Sequence, residues 1–195
     1  MVGLLAGCKS RSVRLDSSTA SQITHKRLVV QVNRRPKLII VTFAKAMVSS
    51  GVMASLLMRG LSDDLANDFA IADPARTVAA QVKQRLVSKY GMSVASSAAH
   101  ADVVLEVTNT MWQVNHGSLL NLAKYRPILA VVAQLRDMRH KTVLSKAACV
   151  FNARQNVTPW RGYDEILGNH GAVLKADFDR LTQKCVGQIL ASGGF

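Results

Sequence analysis

Two apolar patterns in the second half of the chain each carry one cysteine, and together they restrict the fold more than any other feature. Val143, Ser145, Ala147, Cys149 and Phe151 alternate with Leu144, Lys146, Ala148 and Val150, the period of a half-buried strand. Leu174, Phe178, Leu181, Cys185 and Ile189 recur three to four residues apart, one stripe along a helix. Both cysteines point toward a shared interior, so strand and helix are expected to pack face to face with Cys149 and Cys185 bonded. Two buried free thiols are the competing reading, because cysteine also packs as a small hydrophobe.

The same periodicities organise the rest of the chain. Leu28 to Val32 reads as a first strand, and Arg34-Arg35-Pro36 interrupts it. Leu38 to Val41 reads either as a further strand or as the lead-in to an apolar helix from Phe43 to Arg59. A helix runs from Asp73-Pro74, where Asp caps free amides and Pro is pre-shaped for the first turn, to Gly91. Three long strands follow, Asp102 to Val114, Pro127 to Met138 and Thr142 to Asn152, the last two joined tightly through Arg139-His140-Lys141 as a hairpin. With 49% hydrophobic residues there is enough apolar material for one core. The expectation is a single α+β domain over residues 26–195, its mainly antiparallel sheet of three to four strands covered by helices on one face.

Charge is concentrated at the start. Of the formal net charge of +13, residues 1–60 supply +9, with ten basic residues against Asp16 alone. Arg11, Arg14, Lys26, Arg27, Arg34, Arg35 and Lys37 would face anionic headgroups if this part lies at a membrane, where each Lys or Arg is worth about 1 kcal/mol. Nucleic acid is the rival partner for a basic chain. No aromatic residues interleave with the basic ones and no nucleic-acid-binding motif is present, so none is expected. Past Cys8 no apolar run free of charge is long enough to span a bilayer; the nearest, Leu38 to Met58, contains Lys45 and is broken by Ser49, Ser50 and Gly51.

Leu5-Ala6-Gly7-Cys8 explains why a membrane is considered at all. Small residues at positions 6 and 7 let a peptidase reach the scissile bond, and the thiol of Cys8 can take a diacylglycerol. This tetrapeptide resembles the lipobox of bacterial lipoproteins. A complete signal needs a basic start and roughly 7–15 apolar residues, whereas Met1 to Gly7 is short and uncharged, so residues 1–7 are expected to be the remnant of a longer signal. The mature chain would begin at Cys8, followed by a lipid-anchored tether over residues 8–25, rich in Ser, Thr and Arg. Lys9 in place of Asp resembles the pattern of lipoproteins sent to the outer membrane. Assigning Cys8 to lipid leaves Cys149 and Cys185 as an even pair, which fits one disulfide in an oxidising periplasm.

An enzyme would need a constellation of chemistry-bearing residues, and the sequence offers none. His25, His100, His116, His140 and His170 lack zinc-ligand spacing, Asp63, Asp64 and Asp68 lack the Gly and Glu of a calcium loop, and no nucleophile elbow or phosphate-cradling glycine loop is present. No catalytic residue, metal or cofactor is expected. Trp112, Tyr125, Trp160 and Tyr163 are candidates for partner contact, since Trp and Tyr combine apolar area with a polar tip. For Trp112, at a strand end, core packing competes with that role.

Val103-Val104-Leu105-Glu106-Val107 after Asp102, Trp112, Tyr125-Arg126, Leu135-Arg136-Asp137, the run Val143 to Cys149 and the late Cys185 resemble a group of uncharacterised bacterial periplasmic lipoproteins, over roughly residues 73–190. More remotely the layout is similar to ABC-transport auxiliary lipoproteins and to activators of penicillin-binding proteins. The resemblance implies a non-enzymatic binding or assembly component of the cell envelope, held on the periplasmic face of a membrane by acylated Cys8 and engaging an envelope protein. The alternative from another class is a cytosolic basic protein that binds nucleic acid or acidic partners.

Overall fold

A computed structural model describes residues 12–33, 38–41, 65–117, 124–152 and 157–195. Cys8, Arg11, Arg34, Arg35, Lys37, Asp63, Asp64 and all of the Leu38 to Met58 segment beyond Val41 lie outside the described residues. In chain order the elements are helix α1 (Ser17–Ile23), strands β1 (Arg27–Asn33) and β2 (Ile39–Val41), helices α2 (Leu65–Asp68) and α3 (Pro74–Tyr90), strand β3 (Ser93–Val94), a 3-10 turn (Ala98–His100), strands β4 (Val103–His116), β5 (Lys124–Asp137), β6 (Val143–Phe151) and β7 (Arg161–Gly162), and helix α4 (Tyr163–Gly193).

The strands form one seven-stranded sheet in the order β3-β1-β4-β5-β6. β2 follows β1 along the same edge of β4, and β7 pairs with the first residues of β5. β4, β5 and β6 are antiparallel neighbours as expected, and Lys141, at φ 56°, turns the β5–β6 hairpin. The expectation of three to four mainly antiparallel strands is corrected by the other half of the sheet. β1 pairs parallel with both β3 and β4, and β2 pairs parallel with β4. The reason is the connection: α3 lies between β1 and β4 in the chain, and a helix that crosses the sheet returns the next strand in the same direction.

Helices cover one face, and the core lies beneath them. Leu28 from β1, Val103, Leu105 and Val107 from β4, Leu129, Val131, Ala133 and Leu135 from β5, and Ala147 and Cys149 from β6 are buried against α3 and α4. α3 contributes Ala75, Val78, Val82 and Leu86; Asp73 accepts from the Ala75 amide at its start, and Gly91 ends it at φ 61°. α4 buries the expected stripe Leu174, Phe178, Leu181, Cys185 and Ile189, though it begins earlier than the pattern shows and is broken at Gly168–Gly171. The structure bonds Cys149 to Cys185 across a Cα separation of 5.3 Å, which ties β6 to α4.

The residues before β1 are part of the domain. A tether over residues 8–25 is therefore corrected from Val13 onward. Val13 and Lys146 exchange both main-chain hydrogen bonds at 2.8 Å, extending the edge of β6, and the Leu15 amide donates to the Gly193 carbonyl at 2.9 Å. Asp16 caps α1 by accepting from Thr19, and Ile23 from the same helix is buried. A Ser- and Thr-rich segment looks like a linker because its hydrophobic residues are few, but Leu15 and Ile23 suffice to anchor it.

Candidate functional site

Strand direction gives the domain two unlike ends. At one, β1, β4 and β6 begin while β5, α3 and α4 finish. The N-terminal segment packs there, and the end is basic: Arg14, Lys26, Arg85, Lys89, Arg139 and Lys141 are all exposed. Arg27 belongs to it but is engaged. Its Nε lies 3.1 Å from the Asp102 carboxylate, which also accepts from the Arg27 main-chain N–H. These two hydrogen bonds hold Asp102 at a pKa of about 2, well below the ordinary carboxylate. Asp137 is lowered first by the main-chain N–H of His140, so both carboxylates here are committed to local partners. Of the seven residues expected to face a membrane, Arg14 and Lys26 are placed as open cations and Arg27 as one half of an ion pair.

At the opposite end, where β4 finishes and β5 and α4 begin, the aromatic candidates gather. Pairing of β7 with β5 sets Arg161 opposite Tyr125 and Gly162 opposite Lys124. That register brings the Tyr125 and Tyr163 rings edge to face with centroids 5.4 Å apart. It also places the Arg126 guanidinium 4.4 Å from the centre of the Trp160 ring. Arg126 is only 3% exposed, and its burial draws its pKa below the usual value while the ring face partly replaces water around the cation. Arg161 bridges two acidic partners, Glu165 one helical turn on and Asp177 at 3.1 Å, the latter 2% exposed. Tyr163 remains 46% exposed and so offers its ring outward.

Trp112 does not join this group. It is 6% exposed and meets Phe178 edge on at 6.2 Å, so its role is core packing and the expectation of partner contact there is corrected. A bulge between Asn109 and Met111 is the cause. It shifts the alternation by one residue, turning Trp112 and Val114 onto the helix-covered face that Val103, Leu105 and Val107 already occupy.

Sequence reasoning met Arg126 and Arg161 only as neighbours of the aromatic candidates, and it missed Asp177. Asp177 carried a signal, since it lies on the helical stripe between Leu174 and Leu181, where a carboxylate needs a buried partner. Among the described residues no three His, Cys, Asp or Glu side chains are grouped to hold a metal ion, and no helix is long and apolar enough to cross a membrane.

No family model and no curated protein matches the chain. Among solved structures it is similar to the PelC dodecamer of Paraburkholderia phytofirmans, at 13% identity over 87% of this chain and 89% of that one, with a TM-score of 0.32. It is also similar to lipoprotein GNA1162 of Neisseria meningitidis, at 13% identity over 81% of this chain and 99% of that one, with a TM-score of 0.27. A third is protein XCC0632 of Xanthomonas campestris, from family DUF330, at 13% identity over 92% of this chain and 88% of that one, with a TM-score of 0.39. None of these assigns a family.

Proposed function

We propose that this chain is a lipoprotein of the bacterial envelope, acylated at Cys8 on the periplasmic face of a membrane, the outer rather than the inner, and that it acts without catalysis as a binding or assembly component. The observation that carries the reading is where the N-terminal segment is held. Val13 is fixed at the basic end and Cys8 is five residues earlier, a reach of about 18 Å at most. An acyl chain on Cys8 would therefore bring Arg14, Lys26 and their neighbours to the headgroups and turn Tyr125, Trp160 and Tyr163 away from them. The Cys149–Cys185 bond supports an oxidising compartment. The aromatic end, with an exposed Tyr163 on a frame held by Arg161, is the surface offered to an envelope protein.

Intact mass of the protein purified from native membranes, beside a Cys8→Ala control, tests this directly. A lipidated chain starting at Cys8, with Cys149 and Cys185 alkylated only after reduction, is the expected result. An unmodified chain with three free thiols would overturn it, and steeply salt-dependent RNA or DNA binding by the Cys8→Ala protein would favour the cytosolic alternative.

A further inference from the structure

At the basic end a groove of about 870 Å³ runs between the N-terminal segment, the outer side of α3 and the last turns of α4. Gln81, Gln84, Arg85, Ser88 and Lys89, all exposed, line its α3 wall along the flank of the buried stripe Val78, Val82 and Leu86. Gly187 and Ala191, one turn apart, lie on the α4 side, and a Cβ on Gly187 would meet nothing within 4 Å. Arg14 closes the near edge. The lining is rich in donors and short of negative charge. Lys89 is held in place by a 3.1 Å hydrogen bond to the Gly194 carbonyl and by the Tyr90 ring beneath it. Asp16 already accepts from the Thr19 amide and the Ser18 hydroxyl. Against Asp16, Arg14, Arg85 and Lys89 leave the groove positive.

We propose that this groove binds the phosphate of an anionic phospholipid headgroup, with Arg14, Arg85 and Lys89 around the phosphate and Leu190 and Ala191 beside the glycerol carbons. Chain length supports a lipid as the occupant, because Arg14 stands six residues from Cys8 and so within about 22 Å of it in any conformation. The choice of a lipid and the orientation toward a membrane rest on the anchored reading, but anion binding in the groove does not, so each fails separately in the test. The full-length Cys8→Ala protein, which carries no lipid, is sedimented with vesicles of phosphatidylglycerol mixed into phosphatidylcholine, and with phosphatidylcholine alone.

Binding only to the mixed vesicles is expected. Each Lys or Arg at an anionic surface is worth about a factor of five, so Arg85→Gln with Lys89→Gln should weaken binding roughly twentyfold. The same loss of charge at Lys124 and Lys175, exposed near the other end, should change it less than twofold. Gly187→Leu fills the groove while leaving every charge in place, and is expected to weaken binding at least fivefold, a second route should the charge variants fold poorly. Equal losses from both charge pairs, or no effect of Gly187→Leu, would overturn the groove in favour of diffuse attraction. Displacement from vesicles by a few millimolar inorganic phosphate would overturn the lipid in favour of a free anion.

Discussion

The two ends of the sheet are held by different kinds of bond. At the basic end the closures are largely to main-chain groups. Val13 pairs with Lys146, Leu15 with Gly193 and His25 with Tyr90, while the Ser145 hydroxyl and the Tyr90 phenol reach the Gly193 and Gly194 carbonyls. At the aromatic end the prominent closures are between side chains: Arg161 with Asp177 and Glu165, Arg126 with Trp160, Tyr125 with Tyr163. Main-chain closure tolerates substitution as long as the backbone can take its path, and it leaves cations such as Arg14 and Lys26 exposed at the surface. Side-chain closure is specific and fragile, and it fixes the angle at which Tyr163 is presented.

That contrast can be tested by variants that act on one end or on both. Removing the disulfide, as Cys149→Ser with Cys185→Ser, acts on the frame common to both ends. It should cost about 4 kcal/mol for a separation of 36 residues on the chain-entropy account, with one cooperative loss in a denaturant titration. Arg161→Ala should cost about 2–3 kcal/mol, because it strands the buried Asp177 carboxylate; hydrogen exchange is expected to speed up around β7 and the start of α4 while Val13 and Leu15 stay protected. Gly194→Ala reverses that pattern. Its φ is 75° and a Cβ would come within 2.8 Å of the Leu15 carbonyl, so a loss of about 2 kcal/mol should appear with exchange confined to the N-terminal segment. Ser145→Ala removes one of two donors to the Gly193 carbonyl and should cost only about 1 kcal/mol by thermal denaturation.

The smallest effect is in pH. Asp102 is held at about 2 by Arg27, below its value in the unfolded chain, so its contribution is complete above about pH 5 and is lost as pH falls from 4 through 2. Both partners are partly exposed, which screens the pair. Asp102→Asn should flatten this part of the stability profile and leave the aromatic end unchanged.

The same division explains what the sequence disclosed. The long strands, α3 with its Asp73 cap and Gly91 stop, the α4 stripe and the Cys149–Cys185 pair all have side-chain signatures, and each was readable. Leu28 to Val32 was readable as a strand and Leu38 to Val41 as one of two readings, but β3 spans only two residues and no local period shows which neighbour a strand takes or in which direction, so the parallel pairing was not legible. The docking of Val13 and Leu15 depends on main-chain bonds, which any residue but proline can make as donor. Trp112 was obscured differently. Strict alternation from Val103 would send Met111 inward and Trp112 outward, and only the bulge at Thr110 reverses them. At the aromatic end Tyr125, Trp160 and Tyr163 were conspicuous by type, but their assembly was set by a two-residue strand, β7.

The bond from Leu15 to Gly193 also has a meaning in time. It joins the segment ahead of β1 to the last turn of α4, so the N-terminal closure cannot be completed until everything between them has been synthesised. In a chain that crosses a membrane amino terminus first, as the proposed function has it, Leu15 waits for its partner carbonyl until Gly193 has followed it across. On that reading, enzymes acting at Cys8 could reach the chain before Leu15 had closed onto α4.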